Sequence, residues 1–113
     1  MNREIKRLII SRDYLTDTMK KIAILGAGAF GFAIAKVISE NEHRKEIMIY
    51  DVNPKFIEYI KKTGEHPIFH EKVRLPEHVK ATKKIKEAVI DAGLIVLAMP
   101  SKFVRQAVHS IRR

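Results

Sequence analysis

An α/β fold built around a parallel sheet is predicted for this chain, and three observations predict it. Short, wholly apolar runs from Ile22 to Leu25, Ile47 to Tyr50 and Leu94 to Met99 alternate with longer segments of helical character. Each run stops at a residue suited to ending a strand: Gly26, Asp51 and Pro100 in turn. None shows the polar–apolar alternation of a sheet with one wet face, so both faces need helices over them. Strand–helix alternation of this kind implies parallel pairing through right-handed crossovers.

The elements follow in order. Ile22-Ala23-Ile24-Leu25 reads as a buried first strand. The helical stretch from Ala29 to Glu40 is apolar nearly all round and must be covered on most sides. After the second strand, Asn53-Pro54 supplies a capping side chain and a proline at the first helical position. Phe56, Ile57 and Ile60 mark one face of that helix, and Gly64 is a suitable C-cap. Residues 65–78, punctuated by Pro67 and Pro76, read as a loop, followed by a short third strand from Val79 to Thr82. Lys83 to Asp91 is expected to be helical, with Ile85, Ala88 and Val89 at helical spacing. Leu94 to Met99 is the most hydrophobic segment and reads as a central strand. Pro100 stops it, Ser101 is placed to cap, and Phe103, Val104, Ala107, Val108 and Ile111 share one face of a last helix.

Residues 1–18 differ from the rest: polar, with a short apolar patch, and broken by Thr16-Asp17-Thr18 before Met19. They are expected to be an N-terminal extension, either unfolded or a loose helix docked through Ile5, Leu8 and Ile9. Residues 19–113 then form the folded unit.

Composition narrows the class. A chain of 113 residues suits one domain, and 46% hydrophobic content is ordinary for a globular protein. Without cysteine there is no disulfide framework, thiolate nucleophile or zinc ribbon, and a reducing cytoplasm is the expected compartment. No apolar run approaches the length of a bilayer span, so no membrane role is expected. A net charge of +9 would attract polyanions. The lysines are spread along the chain, however, with only pairs such as Lys61-Lys62 and Lys83-Lys84. Nucleic acid is therefore not the expected partner.

The informative stretch is Gly26-Ala27-Gly28-Ala29-Phe30-Gly31, a full G-x-G-x-x-G between a strand and a helix. In such a motif the first glycine permits a tight turn and the second lets the backbone approach a pyrophosphate. The third allows close packing of helix and sheet. Amides at the helix N-terminus bind the phosphates. Asp51 lies twenty positions beyond Gly31 at the end of the second strand, where a carboxylate accepts hydrogen bonds from the ribose hydroxyls. It also repels a 2′-phosphate, which favours NAD over NADP. The plain alternative has Asp51 only ending the strand and helping to cap the next helix. Pro100-Ser101 is expected beside the crevice on the nicotinamide side, or as a simple strand stop and cap. Phe30 either packs against the pyrophosphate turn or plugs the seam between sheet and helix. The expected cofactor-binding set is thus Gly26, Gly28, Ala29, Phe30, Gly31, Asp51, Pro100 and Ser101.

Other side chains carry less. His66 and His70 are four apart, but Pro67 between them argues against a helical metal pair, and no metal site is expected. His43, His78 and His109 have no recognisable partner in the sequence. Lys102 and Arg105, near the crevice, either meet an anion or form a solvated face, the plainer reading.

Residues 21–31 (KIAILGAGAFG), Leu75-Pro76, Ala81-Thr82 and residues 94–101 (LIVLAMPS) together resemble the N-terminal part of the NAD(P)-dependent glycerol-3-phosphate dehydrogenases. That family usually has G-A-G-S-W/F-G, a later L-P…A-T segment and a strand ending V-P-S. The resemblance covers about residues 20–112 and implies a Rossmann-like sheet of order 3-2-1-4 flanked by helices. It also implies hydride transfer between NADH and dihydroxyacetone phosphate in the complete enzyme, feeding phospholipid synthesis. Ala29 stands where the family commonly has serine. Asp51-Val52 replaces an arginine often found after the second strand, which again favours NAD. Family members are several times longer, and the resemblance places their catalytic lysine and most substrate-phosphate ligands beyond this chain's last residue. The chain is therefore expected to be an incomplete member, residues 19–113 forming a partial dinucleotide-binding domain, with no catalytic residue of its own. A small phosphorylated substrate belongs to the complete enzyme only, and the fourth strand is expected to leave an open edge on which a second copy pairs. Two readings stay beside this one: another Rossmann reductase of the ketopantoate or 6-phosphogluconate type, and a non-catalytic basic nucleotide-binding protein.

Overall fold

A computed structural model describes residues 20–42 and 44–111. The expected N-terminal extension lies outside the described residues. Four parallel strands, β1 (Lys21–Leu25), β2 (Glu46–Tyr50), β3 (Val79–Thr82) and β4 (Leu94–Leu97), form one sheet in the order β3-β2-β1-β4. Four helices alternate with them: α1 (Ala29–Asn41), α2 (Pro54–Thr63), α3 (Ile85–Val89) and α4 (Ser101–Ile111). The order reverses at β1, which pairs with β2 on one side and β4 on the other, Ile22 facing Ile47 and Leu94 in register. A crevice therefore opens at the carboxyl ends of β1 and β4, the place where sheets of this kind take ligands.

The apolar runs are buried on two unequal faces. Ile22 and Ile24 of β1 and Ile47 and Ile49 of β2 join Phe32, Ala35 and Ile38 of α1 and Ile57 and Ile60 of α2 in the larger core. The nearly all-round apolar character of α1 is thereby accounted for. The opposite face is smaller, with Ala23, Leu25 and Met48 against Ala88 of α3. The α2 boundaries match the sequence signals: Asn53 accepts from the Lys55 amide at 2.9 Å, Pro54 opens the helix, and Gly64 closes it at φ 76°.

Helix α3 departs from expectation, and β4 decides between two readings of its place. Helix α3 spans Ile85–Val89, shorter than the expected Lys83 to Asp91. The Thr82 hydroxyl accepts from the Lys84 amide at 3.0 Å, which holds Lys84 extended, and Ile90 is extended at the other end. There the buried Lys21 ammonium donates to the Glu87 and Ile90 carbonyls at 2.8 and 2.9 Å, satisfying groups that a helix end leaves unpaired. The segment from Leu94 to Met99 is an edge strand among the described residues, as the order 3-2-1-4 implies, and not the central strand that its hydrophobicity alone suggests. It pairs with β1 alone, through Leu97. Its side chains alternate: Leu94 and Val96 pack on the larger core, while Ile95 and Leu97 are 38% and 40% exposed on the thinly covered face. Ser101 is the first residue of α4, so Pro100 takes the position before the helix and its carbonyl accepts from the Phe103 amide at 2.9 Å.

Candidate dinucleotide site

The chain turns as soon as β1 ends. Gly26 takes φ +120°, and its amide donates to the Tyr50 carbonyl at 2.7 Å, stitching the turn to β2. A Cβ on Gly26 would run into the Ala98 carbonyl just past β4, so both the dihedral and the contact require glycine. A Cβ on Gly31 would collide with the Gly26 carbonyl and come within 3.3 Å of the Ala98 Cβ. The third glycine thus lets α1 close on the turn itself, as well as on the end of β4. Gly28 is unlike either: a Cβ there would meet nothing within 4 Å. The second glycine fronts open space.

Helix α1 starts behind that space with Gly28 at its N-cap, no capping side chain and no acid in its first turn. The first amides of a helix have no acceptor within it, and their partial positive charge is here uncompensated by side chains. Ala29 and Phe30 of this turn are exposed. Phe30 is 43% exposed and does not plug the sheet–helix seam, which Phe32 fills instead.

Asp51 closes the other side of the turn. Its Oδ2 accepts from the Ala27 amide at 2.7 Å and its Oδ1 from the Asn53 amide at 2.8 Å. The carboxylate is therefore held in one orientation by two backbone donors, with lone pairs left on both oxygens. Ending the strand and supporting the next helix thus leave acceptor capacity on Asp51 unused. A cleft of about 350 Å³ lies alongside, lined by Gly26, Tyr50, Asp51, Val52, Met99 and Pro100. Burial, and then the neighbouring Asp51 charge, push the Tyr50 phenol above its ordinary value, so it faces this cleft neutral. Six of the eight expected residues, Gly26 to Gly31 with Asp51, are brought together at the turn. Pro100 lines the same cleft, and Ser101 follows it, exposed at the start of α4.

Sequence reasoning missed two side chains. His66, buried, places Nε2 2.8 Å from the Ala27 carbonyl, while its Nδ1 accepts from the Ile68 and Phe69 amides at 3.0 and 3.1 Å. Two donors on Nδ1 fix the tautomer: the proton sits on Nε2 and is donated to Ala27. His70 Nε2 lies 2.7 Å from the Ala29 carbonyl. No periodicity connects a loop at 66–70 with a turn some forty residues earlier, so only the folded chain reveals the contact. Burial holds the His66 imidazole below its ordinary value near 6.5; the Ala27 carbonyl and Asp51 oppose this, and His70 adds to it. The unfolded chain therefore binds the proton more readily. The stabilisation is complete above about pH 6.5 and is lost as pH falls through the lower folded value. Urea denaturation at pH 7.5 and 5.5 checks this: the stability gap between wild type and His66→Gln is expected to narrow at the lower pH.

Among the described residues no group of three or more His, Asp or Glu side chains is placed to hold a metal ion. No helix among them is long and apolar enough to cross a membrane.

Sheet order, switch-point crevice and glycine turn define a dinucleotide-binding domain of the Rossmann-like class. The family profile described as "NAD-dependent glycerol-3-phosphate dehydrogenase N-terminus" matches residues 21–113, and the chain belongs to that family, as an N-terminal domain that binds NAD or NADP. The glycerol-3-phosphate dehydrogenase (NAD(P)+) of Acholeplasma laidlawii is 37% identical over 93 residues, which is 82% of this chain and 26% of the relative. That of Bacillus subtilis is 34% identical over 91 residues, 80% of this chain and 26% of the relative. Among solved structures, glycerol-3-phosphate dehydrogenase from Coxiella burnetii superposes with a TM-score of 0.76 at 21% identity, over 84% of this chain and 29% of that one. The Plasmodium falciparum enzyme gives 0.74 at 25% identity, over 89% and 30%. The chain spans about a quarter of the length of the curated relatives it matches.

Proposed function

We propose that residues 20–111 act as the cofactor-holding unit of a glycerol-3-phosphate dehydrogenase, that the cofactor is NAD in preference to NADP, and that its pyrophosphate rests on the Gly26–Gly31 turn. The observation carrying this is the contrast among three glycines: two packed against backbone, and Gly28 open in front of an uncapped helix N-terminus. In this reading the amides from Gly28 to Gly31 donate to the phosphate oxygens, and Ala29 and Phe30 present those amides and flank the anion. Asp51 accepts from the ribose hydroxyls with the lone pairs that Ala27 and Asn53 leave unused. Pro100 and Ser101 border the cofactor on the nicotinamide side of the crevice. The nicotinamide, when bound, supplies the hydride that is exchanged with a small phosphorylated ketone such as dihydroxyacetone phosphate. This chain's contribution is to bind and orient; no side chain in it is assigned a proton-transfer role. Pairing of a second copy along β4 is supported by its outer edge, unpaired among the described residues, and a cytoplasmic setting by the absence of cysteine.

Titration with NADH and NADPH tests the cofactor reading. NADH is expected to bind at least about tenfold more tightly, roughly 1.4 kcal/mol, because the 2′-phosphate meets the Asp51 carboxylate. Asp51→Asn, which removes the charge and keeps an acceptor oxygen for one of the two amides, is expected to close most of that gap. Equal affinities in wild type would sink the NAD preference, and no binding of either would sink the proposed site.

A further inference from the structure

We propose that His66 and His70 are positioning residues of the dinucleotide site, gripping the carbonyls of Ala27 and Ala29 so that the adjoining amides stay aimed at the anion. The inference rests on the glycine turn being the pyrophosphate site, and it adds what keeps that turn in shape. A trans peptide is planar, with its C=O and N–H pointing opposite ways. The described chain contains no cis bond. Fixing the Ala27 carbonyl therefore fixes the Gly28 amide, and fixing the Ala29 carbonyl fixes the Phe30 amide. His66 does the first at 2.8 Å and His70 the second at 2.7 Å. Asp51 already holds the preceding peptide through the Ala27 amide. Three of the four peptide planes from Gly26 to Phe30 are thus set by side chains outside the turn.

The loop carrying the two histidines is shaped for this contact. His66 Nδ1 caps its own loop through the Ile68 and Phe69 amides, which leaves Nε2 as the donor toward Ala27. His70 and Lys72 are non-glycine residues at φ 56° and 67°, a left-handed conformation that costs energy and that folded chains keep where surrounding contacts enforce it. Phe32 of α1 meets both rings, edge-on to His66 at 5.5 Å and stacked on His70 at 6.0 Å between centroids. Phe56 of α2 packs on His66 at 4.5 Å. The charged or titratable groups facing His66 are His70 of the same loop and Asp51 at the end of β2; α1 and α2 present the two phenylalanine rings. Simple core filling would need the rings but not the aimed nitrogen on each histidine.

Two substitutions separate the local cap from the grip. Asparagine at 66 keeps an acceptor where Nδ1 stands but does not reach Ala27. Glutamine reaches Ala27 with an N–H donor and gives up the cap. On the full 113-residue chain, NADH fluorescence titration, urea denaturation and backbone amide exchange at Gly28 and Phe30 are measured for wild type, His66→Asn, His66→Gln and His70→Ala. His66→Asn is expected to weaken NADH binding about fivefold, the worth of one hydrogen bond, with a stability loss similar to that of His66→Gln. His66→Gln is expected to bind within about twofold of wild type. Exchange at Gly28 is expected to quicken in the asparagine variant alone, and exchange at Phe30 in His70→Ala. Wild-type affinity and wild-type Gly28 exchange in His66→Asn would overturn the proposal, as would equal weakening in both 66 variants in step with lost stability. Should wild type take up no NADH, the dinucleotide reading falls by itself. The Gly28 exchange of the unliganded variants then decides the grip: faster in asparagine than in glutamine supports it, and equal rates refute it.

Discussion

Replacing Gly31 by alanine is expected to lower the melting temperature by on the order of 10 °C. The added carbon would occupy the place of the Gly26 carbonyl, with the Ala98 Cβ 3.3 Å away on the other side. Neither neighbour yields easily. Gly26 is tied by its amide to Tyr50, and Ala98 donates its amide to the Leu25 carbonyl at 2.8 Å, so both sit on the sheet's own ladder. Overpacking of this kind costs about 1–3 kcal/mol where side chains can give way, and backbone on backbone belongs at the upper end. In a domain of this size each kcal/mol moves the midpoint by about 4–8 °C. Small domains also have little stability in reserve. Thermal denaturation followed by circular dichroism measures the effect. A midpoint equal to wild type would mean that α1 does not approach the turn as closely as the structure shows.

The fold was largely legible because its signals are local. Apolar runs, Asn53-Pro54 and Gly64 each act on their own backbone, and strand order follows once the family pattern is seen. The glycine turn was legible for the same reason: the motif's spacing is its mechanism. What sequence reading misplaced depends on neighbours distant in the chain. Hydrophobicity alone makes Leu94 to Met99 look central, because an apolar strand carries no mark of whether its outer edge is paired; only the sheet order, implied by the family pattern, puts it at the edge. The length of α3 is set by the Thr82 hydroxyl and the Lys21 ammonium, one of them more than sixty residues away. His66 and His70 were weighed as a metal pair because four-residue spacing is a helical cue. In the folded chain they serve a loop, and their partners are main-chain carbonyls that no residue type advertises.

Gly28→Val is expected to abolish dinucleotide binding while leaving the fold intact, and the contrast with Gly31 is what gives the result meaning. Gly28 has φ −79° and ψ −161°, extended backbone that a β-branched residue adopts readily. Its Cβ would project into empty space. The folded state is not crowded by the change. The loss of a favourable N-cap residue and the gain from a stiffer unfolded chain are each about 1 kcal/mol or less and of opposite sign. For a ligand the same volume is decisive, since the amides behind Gly28 are within hydrogen-bond reach of a phosphate only if nothing stands before them. Affinity for NADH is expected to fall at least about a hundredfold, roughly 2.7 kcal/mol, with Gly28→Ala intermediate. Calorimetric titration beside a melting curve separates the two quantities. Retained affinity in the valine variant would show that the pyrophosphate lies elsewhere. A binding loss matched by a stability loss would show that Gly28 is a packing glycine like its two neighbours. Only binding lost at constant stability is consistent with a glycine kept for the ligand's approach, not for the turn of the chain.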